Sequence, residues 1–378
     1  LFARSCKLPE LNSFFLLGPR GTGKSTLLRE ALSDAFVVDL LALGMFAELQ
    51  AHPERLESLV ATRASDWVVI DEVQRLPALL NEVHRLIEKK RWKFALTGSS
   101  ARKLRRGGAN LLAGRARWLS MHPLTAAELG ESYNLAHSLR YGQLPSVYVD
   151  PDPSHYLRSY VGAYLREEVQ AEALTRNLEG FSRFLVAASF SQAAVLSISN
   201  VARDVGLPRK TVEGYFQLVE DLLIGVRLPI FARRAKRPLL SHDKFFFFDT
   251  GVYRSLRPRG PLDVAEEIDG PALETLVLQE LRANNDNLQL GYELGYWRTR
   301  DHKEVDFVLY GERGLVAIEV KRSSTYRSQD LVALKLFAGD YPAARCFLFY
   351  LGSHEYRVDG IFVMPLTRAL PELGQLLA

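Results

Sequence analysis

Through the first third of the chain, short unbroken apolar runs alternate with stretches whose apolar residues recur every three or four positions. SFFLL (13–17), AFVVDL (35–40), WVVID (67–71) and KFALTG (93–98) read as strands buried on both faces, because neither side of them is consistently polar. A helix from Lys24 to about Leu32 follows the first run, and ALLNEVHRLIEKK separates the last two with helical spacing. Strands separated by helices predict a parallel sheet covered on both faces.

From Pro123 to about Val226 the pattern turns helical, in TAAELG, SHYLRSYVGAYLREEVQAEAL and FSRFLVAASFSQAAV, with Pro145, Pro151 and Pro153 marking a linker. SISNVARDVGLPRKTVEGYFQLVEDLLI then shows two amphipathic helices joined by Gly206, Leu207 and Pro208, the spacing of a helix–turn–helix. KFFFFDTG (244–251) reads as a strand ending in a turn. Beyond it, a helix from Gly270 to Asn284 precedes the strands GYELGYWR, EVDFVLY and LVAIEVK. The helix DLVALKLFAG and the strands RCFLFYL and GIFVMPL complete an α/β unit. The expected division is an α/β domain over 1–130, a helical lid or linker over 131–190, a winged-helix module over 191–255 and a last α/β domain over 256–378.

Composition narrows the class without naming a function. A chain of 378 residues predicts about two to three domains, and 47% hydrophobic with 24% charged residues is ordinary for a soluble globular protein. No apolar run reaches the roughly 18 residues that cross a bilayer, so no membrane partner is expected. The opening LFARSCKLPELNS has neither a long apolar core nor a small-residue cleavage site, so secretion is not expected. Cys6 and Cys346, far apart, exclude a disulfide framework or cysteine zinc site and fit a reducing cytoplasm. A net charge of +4 is too mild to argue for nucleic acid except through local clusters.

The most specific chemistry lies between the first strand and the first helix, where residues 18–25 read GPRGTGKS. This is a complete phosphate-loop pattern. Glycines let backbone N–H groups turn toward phosphate, and the helix presents its positive end to the same anion. Gly18, Gly21, Thr22, Gly23, Lys24, Ser25 and Thr26 are the candidate ATP-binding residues. Lys24 would meet the β- and γ-phosphates, and the Ser25 hydroxyl would hold Mg²⁺. Asp71, at the end of an apolar strand, suits the metal shell, and Glu72 suits polarising the attacking water. Thr97 and Ser99 end the next strand, either as sensors of the γ-phosphate or as ordinary turn formers. Arg115 is the candidate transition-state arginine, amid Arg102, Lys103, Arg105, Arg106 and Arg117, any of which would equally suit a solvated basic face.

Arg209 and Lys210 open the second helix of the helix–turn–helix, and Arg233, Arg234, Lys236 and Arg237 form a basic run after it. This arrangement reads either as DNA contact or as an ATPase lid with a solvated basic face. In EVDFVLYGERGLVAIEVK, Asp306 and Glu319 are candidate catalytic ligands for Mg²⁺ or Mn²⁺, and Lys321, on the same strand face as Glu319, would activate a water for phosphodiester attack; the same segment also reads as a surface-exposed charged hairpin. Glu274 on the preceding helix is a further acidic candidate.

GPRGTGKST, VVIDEVQ, LTGSS, LAGR and HPLTAAEL together resemble the bacterial and archaeal AAA-type ATPases, while KFFFFDTGV, GPALETLV, YWRT, EVDFVL and IEVKRS resemble the uncharacterised C-terminal domain that accompanies that module. The resemblance implies ATP binding by Gly21, Gly23, Lys24 and Ser25 with Asp71 and Glu72 as metal-side acids. It also implies a winged helix followed by a restriction-endonuclease-like PD-(D/E)xK domain. The expected function is a Mg²⁺-dependent ATPase that couples hydrolysis to a DNA-contacting winged helix and nuclease-like domain. The alternative is an ATP-gated switch that binds DNA or protein and cuts nothing.

Overall fold

Five parallel strands form the N-terminal sheet: β1 (Ser13–Leu17), β2 (Phe36–Asp39), β3 (Trp67–Asp71), β4 (Lys93–Gly98) and β5 (Ala116–Ser120), in the order β2-β3-β4-β1-β5. The computed structural model describes residues 2–61, 66–100, 112, 114–164, 177–237, 239, 242–261 and 263–378. Arg102, Lys103, Arg105 and Arg106 therefore lie outside the described residues. Successive strand residues face opposite sides, and the core divides accordingly. Phe15, Val68, Ile70, Phe94 and Leu96 meet Leu79, Leu80, Val83 and Leu86 of the helix Leu79–Lys90. Phe14, Leu16, Val69 and Ala95 meet Leu28 of α1 (Lys24–Ala31) on the other side. The strand β5 was not among the expected ones. Its sequence ARWLS lies at a sheet edge with three of its five residues exposed, so it carries no continuous apolar signal.

By contact the chain divides into two compact units, residues 4–122 with 221–223, and residues 1–3, 123–220 and 224–378. The second unit contains both the helix–turn–helix segment and the C-terminal sheet. Helices α2 (Ile198–Val205) and α3 (Arg209–Asp221) are joined at Gly206, whose left-handed φ of 66° closes the first helix. Their buried faces carry Val201, Ala202, Val205, Val212, Tyr215, Phe216 and Val219. Strands β6 (Ala194–Val195), β7 (Gly225–Leu228) and β8 (Lys244–Phe247) form an antiparallel sheet in the order β6-β8-β7.

The helix α4 (Ala265–Asn287) lies on a mixed six-stranded sheet. The strands are β9 (Glu293–Arg298), β10 (Glu304–Gly311), β11 (Gly314–Lys321), β12 (Ala344–Tyr350), β13 (Tyr356–Val358) and β14 (Ile361–Pro365), ordered β13-β14-β12-β11-β10-β9. β10 and β11 form a hairpin whose register sets Phe307 opposite Ile318. That register brings Asp306 level with the Glu319–Val320 segment of β11. Among the described residues, no helix is long and apolar enough to cross a membrane.

Candidate functional site

The phosphate loop runs from the end of β1 to the start of α1. Gly21 and Gly23 adopt φ values of 82° and 92°, in the left-handed region that an L side chain enters only at a cost. Gly18 is required for a different reason, since a Cβ there would lie 2.2 Å from the carbonyl oxygen of Met121. Thr22 is buried, and its hydroxyl donates to the Pro19 carbonyl at 2.8 Å. The Lys24 ammonium folds back on the loop, donating to the carbonyls of Gly18 at 2.7 Å and Pro19 at 3.1 Å. Thr26 is half-buried in the first turn of α1. Arg4, which belongs to no motif, braces the loop by donating to the carbonyls of Thr22 at 2.7 Å and His122 at 2.8 Å.

The ends of β3 and β4 meet this loop. Ser25 donates its hydroxyl to Asp71 Oδ2 at 2.9 Å, across 46 residues of sequence. Thr97 donates to the other oxygen of Asp71 and accepts from the Glu72 N–H at 3.2 Å. The two hard oxygen donors of Ser25 and Asp71, side by side at the mouth of the loop, fit a magnesium ion. Asp39 lies opposite Asp71 across β2 and β3, and both line an open pocket with Ser25 and Arg29. Glu72 holds a left-handed backbone at φ 58°. Its carboxylate accepts from Ser99 at 3.3 Å and from the Gln74 amide, which also donates to Ser99 Oγ at 3.0 Å.

Gln74 was missed because it follows the acidic pair in a short 3₁₀ turn, where no periodicity marks it. It is buried, and it packs so closely over Gly98 that a Cβ there would lie 2.6 Å from Gln74 Oε1. Gln74→Ala should therefore leave nucleotide affinity within a few-fold of wild type and lower turnover by about tenfold, through loss of orientation at Glu72 and Ser99. Unchanged turnover, measured by phosphate release, would remove that positioning role.

Arg115 stands elsewhere. It immediately precedes β5, whose first residue Ala116 pairs with Ser13 at the start of β1, while the phosphate loop leaves the far end of β1. Five strand residues place it about 15 Å from the loop end of the sheet. Its guanidinium pairs with Glu88 near the end of the helix Leu79–Lys90. On this geometry Arg115 does not reach the phosphates of its own chain.

In the second unit, Asp306, Glu319 and Lys321 do meet. Lys321 Nζ lies 2.5 Å from Glu319 Oε1, and Asp306 Oδ2 accepts the Val320 N–H at 2.8 Å. The sequence reading missed two further members, Lys244 of β8 and Glu304 of β10. Lys244, with its side chain 3% exposed, forms an ion pair with Glu304 and lies 3.3 Å from Glu274 and 3.7 Å from Asp306. Arg298 reaches the other oxygen of Glu304 at 3.1 Å. Burial, then the neighbouring Asp306 charge, pushes Glu274 up to about 8, and burial raises Asp306 and Glu319 as well. Burial disfavours the Lys244 ammonium, but Glu274, Asp306 and Glu304 outweigh it and hold the group charged above its ordinary range. The pair expected to ligate a metal is thus already neutralised by lysine, as buried carboxylates require a counter-ion. Among the described residues, no three His, Cys, Asp or Glu side chains converge to hold a metal ion.

The basic run is also partly committed. Arg233 pairs with Glu293 at 2.7 Å, and Arg237 forks onto Asp340 at 2.7 and 3.1 Å. Arg209, Lys210, Arg234 and Lys236 are exposed.

A parallel sheet with a phosphate loop at the carboxyl end of β1 defines an α/β nucleotide-binding domain of the P-loop type. Residues 11–130 match the family described as an AAA domain, which supports an AAA-type P-loop ATPase module. Residues 133–263 and 269–369 match two domains of unknown function, DUF8612 and DUF4143. An uncharacterized protein of Haemophilus influenzae is 22% identical over 300 residues, spanning 74% of this chain and 72% of that one. Protein VC1899 from Vibrio cholerae, of known crystal structure, aligns over 97% of both chains at 11% identity with a TM-score of 0.24, at which no shared fold is inferred.

Proposed function

We propose that the protein is a magnesium-dependent ATPase whose turnover is coupled to DNA contact through its helix–turn–helix. The observation that carries the first half is the network that ties Ser25 to Asp71 and Glu72 to Ser99 at the mouth of the phosphate loop. Here Gly21, Gly23 and Lys24 would cradle the phosphates, and Ser25 with Asp71 would hold the magnesium ion. That ion would neutralise charge developing on the phosphate oxygens. Glu72 would take a proton from the attacking water, with Ser99 and Gln74 fixing its carboxylate.

The order of helix α2, turn, helix α3 and strands β7 and β8 supports a winged helix, with Arg209 and Lys210 at the start of the helix that would enter the groove. Arg209, Lys210, Arg234 and Lys236 would neutralise about four phosphates, so log K for duplex DNA should fall with log salt at a slope of about −3 to −4. A fluorescence titration across salt concentrations measures this slope, and affinity indifferent to salt would rule the contact out. ATP turnover compared with and without duplex DNA tests the coupling.

The hairpin of β10 and β11 under α4 supports a restriction-endonuclease-like reading of the C-terminal sheet. A second reading, an ATP-gated switch whose C-terminal part binds without cutting, is favoured by the ion pairs that already engage Asp306 and Glu319. Plasmid incubated with the protein and Mn²⁺ separates the two: cleavage lost in Asp306→Ala supports the nuclease, and intact plasmid supports the switch.

A further inference from the structure

The acidic cluster of the second unit has an occupant of its own. Lys244 is the first residue of β8, a strand otherwise made of Phe245, Phe246 and Phe247, all buried. Its ammonium sits among Glu274 from α4 and Glu304 and Asp306 from β10, and the Tyr296 ring centroid of β9 lies 5.4 Å away. Three carboxylates and an aromatic face around one point form a cage for a cation. Beside it, Glu319 is buried with Oε2 lacking any hydrogen-bond partner, and its other oxygen is held by Lys321.

We propose that Lys244 is the resident cation of this cage, occupying the place a divalent ion would take, and that the wild-type cluster binds no divalent cation while Lys244 remains there. Carboxylate is the donor type that a hard divalent ion takes, and Glu274, Glu304, Asp306 and Glu319 are all carboxylates, but with the ammonium among them no three converge on a metal position among the described residues. What prevents binding is the ammonium: a second cation within about 4 Å of it in a dehydrated site meets strong repulsion. The proposal rests on the second, non-cleaving reading only in treating these residues as one cluster. It is independent of ATP turnover, so the failure of either is separately visible.

The test is Mn²⁺ binding read by loss of the free-ion signal in electron paramagnetic resonance, using the full chain without nucleotide. A Ser25→Ala, Asp71→Asn background keeps the phosphate loop from contributing an ion. With Lys244 in place, no Mn²⁺ should bind up to about 1 mM. Lys244→Met leaves the carboxylates without their main counter-ion and is prone not to fold. The balanced variant Lys244→Met with Glu274→Gln removes one charge of each sign and keeps Glu304, Asp306 and Glu319. It should bind one Mn²⁺ per chain at least tenfold more tightly than the background protein, and Mn²⁺ should raise its melting temperature. Adding Asp306→Asn should abolish both effects. A stoichiometric Mn²⁺ site in the Lys244-containing protein that Asp306→Asn removes would overturn the proposal, as would a folded balanced variant that gains no Mn²⁺ affinity.

Discussion

Glu72→Gln should bind ATP within a few-fold of the wild-type affinity while turnover falls by about 10²–10⁴, the range expected for loss of a general base. The contrast follows from where Glu72 sits. Its hydrogen-bond partners include Thr97, Ser99 and Gln74 at the ends of the neighbouring elements. A glutamine is of the same size, and its carbonyl oxygen still accepts from Ser99 and from the Gln74 amide, so the site keeps its shape and loses only the basic oxygen. Nucleotide titration alongside steady-state phosphate release measures both halves. Turnover equal to wild type would show that another group activates the water.

Lys24→Ala should act one step earlier and lower nucleotide affinity by at least about 100-fold. The ammonium now held by the Gly18 and Pro19 carbonyls is positioned at the loop that phosphate would enter. Its removal leaves those carbonyl oxygens facing the incoming anion with no intervening positive charge. A fluorescent ATP analogue measures the loss, and circular dichroism checks that the sheet is intact. Retention of wild-type affinity would mean that the loop does not hold phosphate.

The phosphate loop was legible because its chemistry is contiguous, and Asp71 and Glu72 because a buried strand that ends in two acids is conspicuous. The parallel sheet followed from runs such as WVVID and KFALTG, which tolerate no polar face. The edge strands β5 and β13 escaped because half-solvated residues carry little pattern. Gln74 was hidden for lack of any period in its turn. Lys244 was hidden by distance, since a lysine heading an aromatic strand reads as a solvated strand end until Glu274, Glu304 and Asp306 are brought to it by the fold. The basic run misled in the opposite direction: Arg233 and Arg237 are adjacent in sequence to unpaired-looking neighbours, yet their acids, Glu293 and Asp340, come from much later in the chain.

The caged lysine also sets a schedule for the nascent chain. Lys244 leaves the ribosome 62 residues ahead of Asp306, its last carboxylate partner, as their positions in the sequence require. At about 5–20 residues per second, that lead is roughly 3–12 seconds. During that interval β8 has its aromatic side chains but not the acids that let its first residue be buried. The strand should therefore stay open to solvent and to chaperones until β10 emerges, so that docking of the helix–turn–helix sheet is a late event in synthesis rather than the completion of an earlier folded module.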